Sequence, residues 1–588
     1  MNTNLNLFIL PAVTLSLTGC HKTPPPNVLL IITDDQGYGD LSWSGNPHLK
    51  TSAIDRLANE SIRFSNFYVC PVSAPTRSAL MTGRYSLRTG VHDTYNGGAI
   101  MASSEITIAE MLKEKGYRTG IFGKWHLGDN YPCRPCDQGF DESVIHLGGG
   151  MGQPGDFTTY FKGDSSYFDP VLWHNGKKQP YKGYCSDIYA GQAIDFISSN
   201  GKTPFFCYLA FNAPHTPLQV PDNYYAMFRD IDPASGFEND NRPMNQMNDR
   251  NREDARRVYA MVKNIDDNIG KVLDKLEDLN LVENTIVIFM TDNGPQQPRY
   301  NAGMRGLKGS VYRGGVRVPF LMRYPALNKG NRDITVSAAN IDLLPTLADL
   351  CNAGTPSDRI IDGKSLVPLI KGEEVDWKER SLFFYWSRKY PELYNNIALQ
   401  KGRYRIMGHT GFDAELSEFE LFDIEQDPYE QNNILADNNV IAASLKKELD
   451  RYLKELVSSP GLVNPQRIFI GSKYENPVFL NRNDAEGDRG IWIQEEIYGK
   501  WRVSVSEGIY NIRCRFLNPV EKDGQMIIET GTIINQKRNN LEGLYELEMK
   551  NVSYPDMDCD IIPFYLIGSK KILPLWVEVE RNDGGFRY

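Results

Sequence analysis

The segment Asn27-Val-Leu-Leu-Ile-Ile-Thr33 is apolar almost without a break and stops on Asp34-Asp35-Gln-Gly. A continuous run of this kind, with no alternation, predicts a strand buried on both faces that ends in an acidic turn. The same grammar recurs. Thr285-Ile-Val-Ile-Phe-Met290 runs into Thr291-Asp292-Asn293-Gly294-Pro295, and Phe205-Phe-Cys-Tyr-Leu-Ala-Phe211 runs into Asn-Ala-Pro-His215. Gly120-Ile-Phe122 runs into Gly-Lys124-Trp-His126-Leu-Gly. Helical spacing separates these strands at 106–115 and over 252–279, where Tyr259, Val262, Ile265, Ile269, Val272 and Leu276 share one face. Strand-helix alternation predicts an α/β fold with a mostly parallel sheet covered on both sides. Ligands of such sheets bind outside the carboxyl ends of the strands, so strand ends carrying Asp, Asn, Lys and His predict a site on that rim.

At 588 residues the chain is too long for one ordinary core. A second region begins after about residue 375, with the aromatic strand Leu382-Phe-Phe-Tyr-Trp386, the segment 419–430, and a helix over 442–456 with Leu445, Leu449, Leu453 and Leu456 in phase. From about residue 465 the texture changes to short alternating strands at 491–493, 501–505, 510–516 and 575–580, which predict a β-sandwich. The expected boundaries are therefore 27–375, 376–460 and 465–588. A net charge of −10 argues against a nucleic-acid surface, although local cations can still gather an anionic substrate. Nine cysteines in a chain this long do not make a disulfide scaffold, and Cys133-Arg-Pro-Cys136 reads as a local disulfide or two unpaired thiols.

The adjacent carboxylates Asp34 and Asp35 repel unless a cation stabilises them, and Asp292-Asn293 follows another buried strand. With oxygen ligands only, a hard divalent ion such as Ca²⁺ or Mg²⁺ fits best. Taken singly, each motif also reads as solvated turn residues.

The stretch Cys70-Pro-Val-Ser73-Ala-Pro-Thr-Arg77-Ser-Ala-Leu-Met-Thr-Gly-Arg84 offers several nucleophiles. From Ser73 onward it resembles the signature of the type I, formylglycine-dependent sulfatases of the alkaline phosphatase superfamily: Cys or Ser, any residue, Pro, Ser or Thr, Arg, a short spacer, then Thr-Gly-Arg. The first position falls on Ser73; Cys70 lies three residues early and lacks a Pro two residues on. Asp34-Asp35, Gly123-Lys-Trp-His-Leu-Gly128, Pro214-His215, Thr291-Asp-Asn-Gly-Pro295, Arg305-Gly-Leu-Lys308-Gly-Ser310 and the block 420–430 resemble further blocks of that family, in its order, so the resemblance spans about residues 27–456.

The resemblance implies an alkaline-phosphatase-like core with a smaller α+β subdomain and a β-sandwich-like module appended. It implies that Ser73 is oxidised to Cα-formylglycine (3-oxoalanine) by a radical SAM sulfatase-maturating enzyme, since the oxygen-dependent route acts on cysteine. By the same resemblance Asp34, Asp35, Asp292 and Asn293 hold Ca²⁺, which also contacts residue 73. Arg77 steadies the hydrated aldehyde, Lys124 and Lys308 grip sulfate oxygens, His126 takes a proton from the second hydroxyl, and His215 protonates the leaving oxygen. Arg313 stands where many relatives carry Glu and is expected at the pocket rim, with a surface ion pair as the alternative. His92 lies where relatives place substrate contacts, with a structural role as the alternative.

The N-terminal residues resemble a bacterial lipoprotein signal: a mostly apolar run over 7–17, then Leu17-Thr-Gly-Cys20. Such a run is too short to span a bilayer but suits a signal-peptide core. It lacks the usual Lys or Arg before the apolar stretch, and a plain secretory signal is the alternative. Segment 1–20 is thus expected to be a signal, 21–26 a stiff linker, and Cys20 the lipid anchor of an exported, periplasmic or cell-surface protein. The expected activity is hydrolysis of a sulfated glycan, the three Trp of the β module (Trp492, Trp501, Trp576) pointing to glycan binding or to a pocket wall. A phosphomonoester or phosphonate hydrolase of the same superfamily and a catalytically dead glycan-binding lipoprotein are the alternatives.

Overall fold

The structure, a computed structural model, describes residues 24–584 except 238–239, 329, 376, 378–379, 389, 392 and 412–413. The expected signal peptide and the anchor at Cys20 lie outside the described residues. A ten-stranded sheet organises the N-terminal region. Asn27–Thr33 is parallel to Phe205–Ala210 on one side and to Thr285–Thr291 on the other, and Arg118–Lys124 and Glu142–His146 continue the parallel run. Antiparallel strands Phe320–Arg323 and Val171–His174 extend it outward.

Every residue of Asn27–Thr33, Phe205–Ala210 and Thr285–Thr291 is buried, which is why their sequences show no alternation. Val28, Leu30 and Ile32 feed one core with the helices Ile108–Lys113 and Leu343–Leu350. Leu29 and Ile31 feed the other, with Cys185–Ser199 and the long helix Asp249–Asp278. Truncating Ile31 to Ala is expected to cost roughly 2–5 kcal/mol. Gly123, at φ 119, is needed where it sits: a Cβ there would stand 1.8 Å from the Ala210 carbonyl oxygen. Its absence lets the end of Arg118–Lys124 press against Phe205–Ala210 and sets Lys124 on the rim.

The smaller subdomain is an antiparallel sheet of Ser381–Tyr385, Asn395–Lys401, Tyr404–His409 and Phe419–Asp423, covered by Asn439–Val457 through buried Leu445, Leu449, Leu453 and Leu456. Beyond it two sheets enclose a separate core that includes Trp501, Tyr510, Ile512, Cys514, Tyr565 and Val577. Gly499–Val505 alternates buried and half-buried residues along its whole length, the expected sandwich pattern. One expected strand is absent: 491–493 is a turn, because the buried Arg482 guanidinium donates to the carbonyls of Ile491, Trp492 and Gln494 and leaves no ladder for a strand to join. Cys133 and Cys136 are unpaired, and the Cys133 thiol donates to the Met101 carbonyl.

The β module docks onto the rim that carries the strand ends. Asn481 Nδ2 donates to Asp129 Oδ2 at 2.8 Å, the Gly487 amide donates to Asn96 Oδ1 at 2.7 Å, and Trp576 stacks on Phe157 with centroids 4.8 Å apart.

Candidate active site

Four adjacent parallel strands deliver their last residues to one place. Asp34 and Asp35 follow Asn27–Thr33, Asp292 and Asn293 follow Thr285–Thr291, Lys124 ends Arg118–Lys124, and His215 follows Phe205–Ala210. Asp35 (φ 62) and His126 (φ 63) adopt left-handed backbone, a strained conformation for such residues that the packed strand ends enforce. Ser73 is the first residue of the fully buried helix Ser73–Thr82, whose exposed amide dipoles favour negative charge at that end.

Lys124 joins the acidic cluster to Ser73: its Nζ is 2.5 Å from Asp34 Oδ2 and 3.3 Å from Ser73 Oγ. His126 Nδ1 is 3.3 Å from the same hydroxyl, while its Nε2 lies 2.6 Å from the Thr94 carbonyl oxygen. A carbonyl can only accept, so Nε2 carries the proton and Nδ1 presents a lone pair to residue 73. Burial first, and then Lys124, hold His126 well below the ordinary histidine range, which keeps it neutral and ready to accept a proton. His215 is the mirror case, with Nδ1 donating to the Thr216 carbonyl at 2.6 Å and Nε2 turned toward Asp35 Oδ2 at 3.7 Å. Lys308 Nζ lies 2.6 Å from Asp35 Oδ1. Burial pushes Asp34 up, but Lys124, His215, Lys308 and Arg77 outweigh it and hold the carboxyl below its usual range. Asp292 is pushed up to about 7 by burial and then by the charge of Asp34.

Such crowding is the sign of a cation site, and the orphaned atoms agree. Asp34 Oδ1, Asp35 Oδ2 and Asn293 Oδ1 are buried with no hydrogen-bond partner, which is costly unless something else binds them. Asp34, Asp35 and His215 offer ligand atoms within 4.8 Å of one another. An oxygen-rich donor set fits a hard divalent ion. Asp292 is already engaged, accepting from the Asp35 amide at 3.2 Å and from Arg77 Nη2 at 2.9 Å.

Two expectations about the rim are corrected. Arg313 is buried and faces away from the cavity, donating through Nη1 to the Pro428 carbonyl at 2.7 Å and through Nη2 to Asn66 Oδ1 at 2.9 Å. His92 does not line the cavity either; its Nδ1 faces the Gly90 carbonyl and its ring meets Tyr390 edge-on. Arg77 is at the site, but its guanidinium goes to Asp292, the Lys124 carbonyl and Tyr208, so it holds the cage together. Cys70 is no rival to Ser73, because burial pushes its thiol up to about 12 and keeps it protonated.

The cavity over Ser73 measures about 220 Å³ and is walled by His126, His215 and Lys308, with Gln153, Gln296, Trp386, Arg388 and Trp492 around its mouth. The sequence reading missed Thr94, whose carbonyl orients His126, and the turn after Glu142–His146. The triplet Gly148-Gly149-Gly150 was the available signal: a Cβ on Gly149 would stand 2.8 Å from His126 Cε1. A larger hollow of about 770 Å³, lined by Trp377, Arg380, Tyr404 and Leu445, lies where the smaller subdomain meets the large sheet region, and none of the residues gathered around Ser73 lines it.

A covered parallel sheet whose strand ends gather carboxylates, lysines and histidines around a hydroxyl at a helix start defines a hydrolase of alkaline-phosphatase type. Residues 26–353 match the sulfatase family model, and residues 307–458 match the model described as N-sulphoglucosamine sulphohydrolase, C-terminal. The chain belongs to the sulfatase family and is a sulfuric ester hydrolase. It is similar to an arylsulfatase of Hemicentrotus pulcherrimus, 33% identical over 66% of this chain and 69% of that one. It is similar to the N-acetylglucosamine-6-O-sulfatase of Bacteroides thetaiotaomicron, 26% identical over 77% of this chain and 91% of that one. Among solved structures, that of Ps i-CgsB in complex with k-i-k-neocarrahexaose superposes with a TM-score of 0.63 at 30% identity, covering 74% of this chain and 94% of that one.

Proposed function

We propose that the protein is an exported sulfatase that removes sulfate from a sulfated carbohydrate, with residue 73 as Cα-formylglycine and one Ca²⁺ held by Asp34, Asp35, Asp292 and Asn293. The observation that carries this reading is Lys124, which touches both the acidic cluster and the residue 73 hydroxyl. Oxidised and hydrated, residue 73 would supply two geminal hydroxyls, a stronger nucleophile than a serine hydroxyl. Held by Asp34, Asp35, Asp292 and Asn293, Ca²⁺ would supply positive charge beside the anionic substrate.

The chain's own residues do the rest. Lys124 and Lys308 bring two ammonium groups to the anion, where low dielectric makes them more effective than in water. His126, fixed as the Nε2–H tautomer by Thr94, accepts a proton at Nδ1 from residue 73. His215, fixed at Nδ1 by Thr216, can deliver a proton from Nε2 to the departing sugar oxygen. Arg77 opposes the upward push of burial and Asp34 on Asp292 and holds its carboxyl in place.

Carbohydrate as the substrate is supported by the names of the similar proteins, one a hexosamine sulfatase and one crystallised with an oligosaccharide. Export, the lipid anchor on Cys20 and a radical SAM maturase as partner rest on the sequence; among the described residues no helix is long and apolar enough to cross a membrane. The test is to express the chain with and without such a maturase and compare rates on matched sulfate and phosphate esters, then on defined sulfated mono- and disaccharides. Sulfate hydrolysis that depends on the maturase is expected. A preference for phosphate esters would favour the phosphomonoesterase alternative.

A further inference from the structure

The family models end at residue 458, yet a residue of the β module stands in the active-site cavity. Trp492 lines it together with Ser73, His126, His215 and Lys308. Its ring contacts Tyr95 with centroids 4.9 Å apart, Arg388 lies over Tyr95 at 5.1 Å, and the same guanidinium lies over Trp386 at 4.8 Å. Trp492, Tyr95, Arg388 and Trp386 therefore form one continuous flat-sided wall.

The wall is rigidly built. Arg482 is fully buried, and its guanidinium donates to the carbonyls of Ile491, Trp492, Gln494, Leu573 and Pro574, which pins the turn that carries the indole. On the other side of the wall, Asp93 Oδ1 accepts from Trp386 Nε1 at 3.2 Å and lies 3.5 Å from Arg388 Nη1. The loop bearing Tyr95 is clamped to the module by the Gly487 amide donating to Asn96 Oδ1 and the Gly97 amide donating to the Asn483 carbonyl. Two buried polar atoms of the lining residues have no partner among the described residues: the donor Trp492 Nε1 and the acceptor Gln153 Oε1. Aromatic faces beside a guanidinium, a donor and an acceptor are the chemistry that recognises a pyranose ring, apolar on its face and hydroxylated at its edge.

We infer that Trp492 makes the β module part of the substrate pocket, and that the pocket takes a single sulfated sugar ring at the end of a chain. The inference rests on the carbohydrate reading above and deepens it. At about 220 Å³ the cavity lies below the roughly 300–1,000 Å³ of drug-sized ligand sites, enough for one ring but not for a chain continuing past the indole.

The test uses matured full-length enzyme, Trp492→Ala and Trp492→Phe. The probes are 4-nitrophenyl sulfate, the hexose or hexosamine monosulfate desulfated fastest from a defined set, and trisaccharides sulfated on the terminal or on the internal ring. Wild type is expected to desulfate terminal rings at least roughly tenfold faster than internal ones. Trp492→Ala is expected to lose roughly tenfold more kcat/KM on the monosaccharide than on nitrophenyl sulfate, mainly through KM, with Trp492→Phe between the two. Where Trp492→Ala does not fold, Trp492→Phe and Arg388→Ala carry the same comparison. Equal losses on both substrates, or equal rates on terminal and internal rings, overturn the inference and leave the carbohydrate reading standing. Cleavage of nitrophenyl sulfate with no saccharide desulfated overturns the carbohydrate reading, and the inference with it.

Discussion

Arg77 and Asp292 form an ion pair at 2.9 Å in which neither side chain has any exposed surface. It ties the helix that begins at Ser73 to the end of the strand Thr285–Thr291, so Ser73 and the acidic cluster are set against each other by this pair together with Lys124. Removing one partner of a buried pair strands the other charge. Arg77→Ala is expected to cost about 3–5 kcal/mol in denaturant unfolding and to abolish turnover. A stability loss within experimental error would mean that the pair does not hold the site.

The orphaned oxygens of Asp34, Asp35 and Asn293 predict a requirement for a cation. Chelation is expected to lower activity and melting temperature together, and Ca²⁺ at a hundredfold excess over its Kd should restore about 2.7 kcal/mol. Asn293→Ala should stay folded and show a much weaker Ca²⁺ response. Full activity in thoroughly chelated protein would count against the cage.

His215 is expected to matter in proportion to the basicity of the leaving oxygen. His215→Ala should depress kcat on sugar sulfates by roughly 10²–10⁴-fold and on nitrophenyl sulfate far less. Burial and then Lys308 lower its pKa, so the protonated form needed to donate is lost on the acid side of the ordinary histidine range. Activity on sugar sulfates should therefore fall as pH rises through that value, with no matching fall on nitrophenyl sulfate. Identical pH profiles on the two substrates would remove His215 from this role.

A second titration belongs to the docking of the β module. Burial, and then Asp484, raise Asp129 well above the usual carboxyl range, and the Asp129 amide donates to Asp484 Oδ2 at 3.3 Å. A carboxyl whose folded pKa is raised favours its protonated form in the native state. The stability it contributes is complete below the unfolded value of about 3.9 and is lost as pH rises through the folded value. Thermal stability should thus decline with rising pH over that window, and Asp129→Asn should flatten the decline. An unchanged pH profile in Asp129→Asn would show that the pair does not titrate there.

The strand ends could be read from sequence because the central strands are buried on both faces, and unbroken apolar runs such as Asn27–Thr33 have few other structures open to them. The strand-end residues Asp34, Asp35, Lys124, His126, His215, Asp292 and Asn293 were legible for the same reason, whereas Ser73, Arg77 and Lys308 were picked out only by the resemblance to the sulfatase signature and blocks. Thr94 was not, since it acts through a carbonyl that leaves no mark on side-chain identity. Trp492 was legible only as one aromatic among three, because its place in the cavity depends on a turn pinned by Arg482 and on the docking of a whole module. Arg313 misled because charge alone does not say which way a side chain points, and here the Pro428 carbonyl and Asn66 draw it inward.

The central claim is that residue 73, and not Cys70, carries the chemistry. Mass spectrometry of the peptide spanning both residues, taken from enzyme of measured activity, tests it most directly. Residue 73 is expected to be lighter than serine by two hydrogens, in a fraction that tracks activity across preparations made with and without the maturase, with Cys70 a free thiol. Full activity in protein whose Ser73 is wholly unmodified would contradict it.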